Sequence, residues 1–131
     1  MSVEIANRGF DITGDIWASK ILGDTNGRKI IRDIHRDFLI AGADIIIDCN
    51  YSSYVPKMME HLSISEAEAE ELIVNTTALA VDVRDSDEYT RDINDDQENR
   101  PLVAGSLGSF GKYFGKREEC KSGKYEGVSV E

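Results

Sequence analysis

The sequence predicts an α/β fold built on a parallel βαβ unit, and three observations carry that prediction. Ile45-Ile46-Ile47 is a consecutive β-branched run, which suits a strand covered on both faces of a parallel sheet. Leu102-Val103-Ala104-Gly105-Ser106 is a second buried strand, introduced by Pro101. A long amphipathic stretch separates the two, so the order helix, strand, helix, strand asks for a right-handed crossover. In such units chemistry gathers where strands end.

Each element has a local reason. Residues 2–8 read as a short helical piece stopped by Gly9. Asp15 is placed to cap a second short helix carrying Ile16, Trp17, Ile21 and Leu22 and ending near Gly23. A stronger helix follows Thr25 and Asn26, either of which suits its N-cap. Its apolar positions Ile30, Ile31, Ile34, Phe38 and Ala41 fall at helical spacing on one stripe. Gly42 suits the C′ position, where positive φ is needed. Pro56 opens a short helix with Met58, Met59 and Leu62. Ser65-Glu66-Ala67-Glu68 is a capping-box pattern, followed by a sheet-facing stripe of Ala69, Leu72, Ile73, Thr76, Ala80 and Val83. Seven acids between Asp85 and Glu98 make 85–100 a solvated loop. No repeat or linker divides the chain, so residues 1–131 read as a single segment.

Composition narrows the function classes. A net charge of −10 opposes binding to nucleic acid, which needs a basic face, and to anionic membrane surfaces. No window approaches the ~20 apolar residues of a membrane span. The N-terminus carries an acid at Glu4 and has no apolar core of a signal peptide. Cys49 and Cys120 are the only cysteines and form no CxxC pair, which fits a reducing, cytoplasmic setting.

Candidate chemistry collects at the strand ends. Asn50 and Tyr51 close the first strand and Ser106 the second, so parallel pairing brings these polar groups to one rim, the expected ligand face. Tyr51 also suits a core-edge aromatic. Gly105, Gly108 and Gly111 are spaced G-x-x-G-x-x-G, which is neither a dinucleotide fingerprint nor a P-loop. Such glycines let backbone approach a small ligand, or satisfy a turn for steric reasons alone. The acidic run fails as a calcium loop, because Thr90 stands where the sharp turn needs glycine and Asp96 where a bidentate Glu belongs. His35 reads as a half-exposed helix histidine with Asp37 as possible partner, and His61 as a residue favoured near a helix end. Neither has a ligand-spaced neighbour, two cysteines cannot make a zinc site alone, and Cys49 suits buried filler.

Taken in order, Trp17-Ala18, His35-x-Asp37-Phe38-Leu39-x-Ala41-Gly42-Ala43-Asp44-Ile45-Ile46, Asn50-Tyr51 and Ala104-Gly105-Ser106-Leu107-Gly108-x-Phe110-Gly111 resemble the homocysteine S-methyltransferase family. Ser65 to Leu72 and the tail element Ser122-Gly123-Lys124-Tyr125-Glu126-Gly127 are similar to it as well. The resemblance implies a TIM-type (β/α)₈ barrel, with parallel strands and helices outside. It implies transfer of a methyl group from a sulfonium donor, such as S-methylmethionine, to homocysteine, giving methionine. It also implies zinc on three cysteine thiolates, which favours the attacking thiolate.

The same resemblance shows what is not here. Such a barrel takes ~250 residues, so the chain corresponds to its N-terminal part, without the first strand and the C-terminal half. The family's Asp-Gly-Gly start and its zinc cysteines have no counterpart, so no catalytic or metal residue is assigned. Ser109 replaces the usual proline, Lys124 the usual glutamate and Asn50 the usual threonine. The expectation is therefore a methyltransferase-like segment, inactive as this chain alone, with Asn50, Tyr51, Ser106 and Gly108 as candidate substrate contacts. The alternatives are a non-catalytic partner that packs on another barrel chain, which would cover the open sheet edges, and a truncated product with no function of its own.

Overall fold

The computed structural model describes residues 1–86 and 100–109. Its elements are α1 (Ser2–Asn7), a 3₁₀ turn (Trp17–Gly23), α2 (Thr25–Ile40), β1 (Ile45–Ile47), α3 (Val55–Leu62), α4 (Glu66–Asp85) and β2 (Leu102–Ala104). The two strands pair in parallel, with Ile45 against Leu102, Ile46 against Val103 and Ile47 against Ala104. The ladder extends one step beyond each end: Leu102 N–H donates to the Asp44 carbonyl at 2.8 Å, and Asp48 N–H to the Ala104 carbonyl at 3.1 Å. The expected βαβ order is therefore present, with β1 stopping at Ile47 rather than at Asn50 and Tyr51, and β2 at Ala104 rather than Ser106.

Helices α2 and α4 cover one face of this pair. Leu39, Ile46, Ala80 and Val83 are buried together there, with Ala43 and Val103 packed against them. A second, larger cluster joins Ile5, Ile21, Leu22, Ile31, Ile34, Cys49, Met58 and Ala69 above the C-terminal end of β1. Fully burying each such aliphatic side chain contributes about 1.5–3 kcal/mol. The expectation that β1 is covered on both faces is corrected. Ile46 is buried, but Ile45 and Ile47 are each 55% exposed, because among the described residues the helices lie on one side only.

Helix ends follow their local chemistry. Gly42 takes φ +95 after α2, while the Gly42 and Ala43 N–H groups donate to the Leu39 and Phe38 carbonyls at 3.0 Å each. That is the paired C-terminal bonding of a Schellman motif. At the other end the cap is Asp24, which accepts from Gly27 N–H at 2.7 Å, and neither Thr25 nor Asn26. Aspartate reaches the third helical N–H from an extended backbone, and Asp24 has one. Ser65 and Glu68 form the reciprocal capping box expected of α4.

Three other expectations are corrected. Asp15 caps nothing, and its carboxylate faces Lys57 at 3.9 Å and His61 at 3.8 Å. The buried stripe of α2 runs through Ile31, Ile34, His35 and Leu39, leaving Phe38 and Ala41 exposed. His35 is 1% exposed instead of half-exposed, and Asp37 pairs with Arg8, not with the histidine. The acidic run beyond Ser86, Gly111, Cys120 and the tail lie outside the described residues.

Candidate functional site

Where β1 ends, the chain places a carboxylate that its neighbours in sequence do not explain. Asp48 is 4% exposed and accepts four hydrogen bonds. Oδ1 takes the backbone N–H groups of Asn50 (3.2 Å) and Ser106 (2.9 Å). Oδ2 takes Asn50 Nδ2 (3.0 Å) and Thr77 Oγ1 (2.6 Å). Two oxygens offer about four acceptor positions, so this carboxylate is saturated. One buried side chain thus ties the ends of both strands to α4.

Two hollows flank it. The larger, about 470 Å³, is lined by Asp48, Asn50, Ser53, Tyr54, Thr77 and the Gly105–Gly108 loop, with Ile73 and Val74 as apolar wall. The smaller, about 50 Å³, is lined by Met1, Trp17, Ser19, Cys49, Tyr51 and again Asp48. The expected rim is thus brought together in part. Asn50, Ser106 and Gly108 share the larger hollow, whereas Tyr51 lines the smaller one. Trp17 joins Tyr51 there, both 39% exposed. Trp17 opens the 3₁₀ turn that stands where a short helix was expected, and its φ of +45 turns the chain there. Such a conformation costs an L-residue about 1–2 kcal/mol, so the fold holds this indole at the rim against local preference.

The glycines divide in the same way. A Cβ on Gly108 would run into the Tyr51 carbonyl oxygen and the Tyr54 hydroxyl. Chain-to-chain approach therefore explains this glycine, and Tyr54 Oη reinforces it by donating to the Ser109 carbonyl at 2.8 Å. At Gly105 a Cβ would meet only Asp48 Oδ2, at 3.8 Å.

Burial around β1 opposes ionisation of Cys49 and His35. Burial pushes the Cys49 thiol up to about 12, with Asp48 adding to the rise and the chain's α-amino group opposing it. Burial likewise pulls His35 down to about 4, against the opposing pull of Asp48. Among the described residues its Nε2 has no hydrogen-bond partner. A neutral, inaccessible thiol is a poor metal ligand. Among the described residues no three His, Cys, Asp or Glu side chains cluster to hold a metal, so these residues do not fit a zinc site. No described helix is long and apolar enough to cross a membrane.

Asp48 and Trp17 are the residues that sequence reasoning missed as site members. For Asp48 the available signal was a carboxylate closing an all-isoleucine strand, two residues before the polar Asn50.

Comparison with known proteins agrees with this geometry. A family model described as homocysteine S-methyltransferase matches residues 1–131. The homocysteine S-methyltransferase YbgG of Bacillus subtilis is 30% identical over 121 residues, covering 92% of this chain and 37% of its own length. Homocysteine S-methyltransferase 1 of Zea mays is 34% identical over 120 residues, covering 89% and 35%. The crystal structure of the homocysteine methyltransferase MmuM from Escherichia coli, in its oxidized form, superimposes with a TM-score of 0.72 at 28% identity. That match covers 91% of this chain and 38% of the other. The chain thus spans less than two-fifths of the length of these relatives.

Proposed function

The chain belongs to the homocysteine S-methyltransferase family, and on that premise we propose that it builds one wall of a methyl-transfer site in a (β/α)₈ barrel. The wall holds a sulfonium donor such as S-methylmethionine, and the methyl group passes to homocysteine. In that step the homocysteine thiolate sulfur bonds to the methyl carbon. The donor's C–S⁺ bond breaks, its electron pair stays on the donor sulfur, and both products are methionine.

The observation that supports this reading is the pairing of Trp17 with Tyr51. Both are half-exposed aromatics in one hollow at the C-terminal end of β1, the end where barrel chemistry sits. Aromatic faces attract cations, by about 0.5–1 kcal/mol when exposed and ~2 when desolvated. The Asp48 carboxylate on the same wall favours positive charge there too. Asn50, Ser106 and Gly108 border the adjoining hollow and contribute polar contacts to the substrates.

Thiolate formation is the part these residues do not supply. Cys49 is buried and neutral, and the described residues hold no metal-ligand set. The chain by itself is therefore inactive in this reading, in a cytoplasmic setting where its thiols stay reduced. The test is to incubate the full chain with homocysteine and S-methylmethionine, with and without zinc. Absence of methionine supports the reading, while methionine formation or stoichiometric zinc in the purified protein contradicts the inactivity.

A second reading, association with a chain that completes the barrel, is favoured by the uncovered sheet face. Ile45, Ile47 and Leu102 lie exposed on it, opposite the helices. Strands equivalent to the remainder of the longer relatives would bury them. A chain that stays monomeric at all concentrations and unfolds in one sharp transition would count against this reading.

A further inference from the structure

Trp17 holds a backbone conformation that an L-residue disfavours, and such strain persists only where the surrounding structure over-determines it. Within the turn, Trp17 N–H donates to the Gly14 carbonyl at 3.2 Å and Ser19 N–H to the Ile16 carbonyl at 2.8 Å. Those bonds shape the turn without fixing it to β1. Ala18, Ile21 and Leu22 seat it on the core beside Cys49, but apolar contact has no preferred direction.

Directed bonds tie the turn to the end of β1 through Ser19 and Cys49. Ser19 Oγ donates to the Cys49 carbonyl at 3.4 Å, and the Cys49 thiol donates to the Ala18 carbonyl at 3.9 Å. Both bonds are long, and neither is strong alone. Ser53 Oγ donates to Ser19 Oγ at 3.0 Å, which aims the Ser19 proton at Cys49. Ser19 stands two residues after Trp17, while Cys49 stands two before Tyr51 and Ser53 two after it. One hydroxyl thus meets the segment carrying Tyr51 on both sides of that residue. Ser19 is 1% exposed and its single proton is spent, so it acts on a ligand only through the two aromatics.

From this arrangement we infer that Ser19 is a positioning residue: its hydroxyl, held between Cys49 and Ser53, sets the separation of Trp17 and Tyr51 across their shared hollow. The functional consequence rests on the reading of that hollow as the sulfonium wall. A cation is attracted by an aromatic face only within about 6 Å of the ring centroid. Two rings therefore favour the charged sulfur together only while both stay in reach of it.

The test uses the full chain and three variants. Ser19→Ala and Ser53→Ala remove the two hydroxyls in turn, and Ser19→Thr keeps the first. Far-ultraviolet circular dichroism and urea midpoints establish that each is folded. Acrylamide quenching of the single tryptophan is then measured without ligand, followed by titration with S-methylmethionine against methionine. Ser19→Ala is expected to make Trp17 more readily quenched and to weaken S-methylmethionine about fivefold, with methionine little changed. Ser53→Ala should move both readouts the same way by less, and Ser19→Thr should bring them back toward wild type. Quenching needs no ligand, which separates this inference from the reading it rests on. A wild-type chain that treats S-methylmethionine and methionine alike refutes the sulfonium wall, and quenching still decides whether Ser19 holds Trp17. Wild-type quenching in the folded Ser19→Ala and Ser53→Ala proteins overturns the inference. So does an unchanged affinity of Ser19→Ala for S-methylmethionine where the wild type binds it selectively.

Discussion

Asp48 Oδ1 accepts the backbone N–H of Ser106 at 2.9 Å, joining the end of β1 to the loop beyond β2. This bond fixes how the two strand ends lie relative to one another, and with them both hollows. Asp48→Ala leaves the Ser106 and Asn50 N–H groups and the Thr77 hydroxyl without their acceptor. A loss of about 2–4 kcal/mol is expected in urea unfolding. Asp48→Asn, which keeps an acceptor oxygen, should lose less.

Gly108 and Gly105 make a matched pair. Alanine at 108 forces the loop away from the Tyr51 carbonyl and the Tyr54 hydroxyl, costing about 1–3 kcal/mol. Alanine at 105 has room and should leave the urea midpoint nearly unchanged. Equal midpoints for the two variants would refute the close packing of this loop on Tyr54.

His35 gives stability a pH dependence of defined sign. Burial holds its folded-state value near 4, below the ordinary 6.5. Between these values the unfolded chain binds more protons, so stability is fully present above pH 6.5 and is lost as pH falls toward 4. The full contribution is about 3 kcal/mol. Urea midpoints at successive pH values should show this slope, and His35→Leu should flatten it.

Cys49 should resist alkylation while the protein is folded, since burial raises its thiol to about 12 and denies access. Peptide mapping after iodoacetamide treatment checks this separately from Cys120. Modification of Cys49 is expected in urea and not in buffer; equal rates in both would contradict the buried thiol.

What the sequence made legible was what neighbouring residues decide. The parallel pairing of Ile45–Ile47 with Leu102–Ala104, the Gly42 stop and the Ser65–Glu68 capping box each follow from local pattern. Asp48 was illegible because its burial depends on donors at Thr77 and Ser106, distant in sequence. His35 was hidden by its own polarity and by Arg36 and Asp37 after it, although its spacing of four from Ile31 and Leu39 puts it in the middle of the buried stripe. Trp17 was read as one residue of a short helix with Ile16, Ile21 and Leu22, and its positive φ, which that pattern does not announce, accompanies its place at the rim.

Trp17 is the chain's single tryptophan, so its fluorescence reports directly on the hollow it shares with Tyr51. The decisive measurement is a fluorescence titration of the full chain with S-methylmethionine, using methionine as the uncharged-sulfur control. A saturable change with S-methylmethionine, at least about fivefold tighter than with methionine and abolished by Tyr51→Ala, is the predicted result. Fluorescence that does not respond, or responds equally to both compounds, would contradict a sulfonium-binding wall at the end of β1.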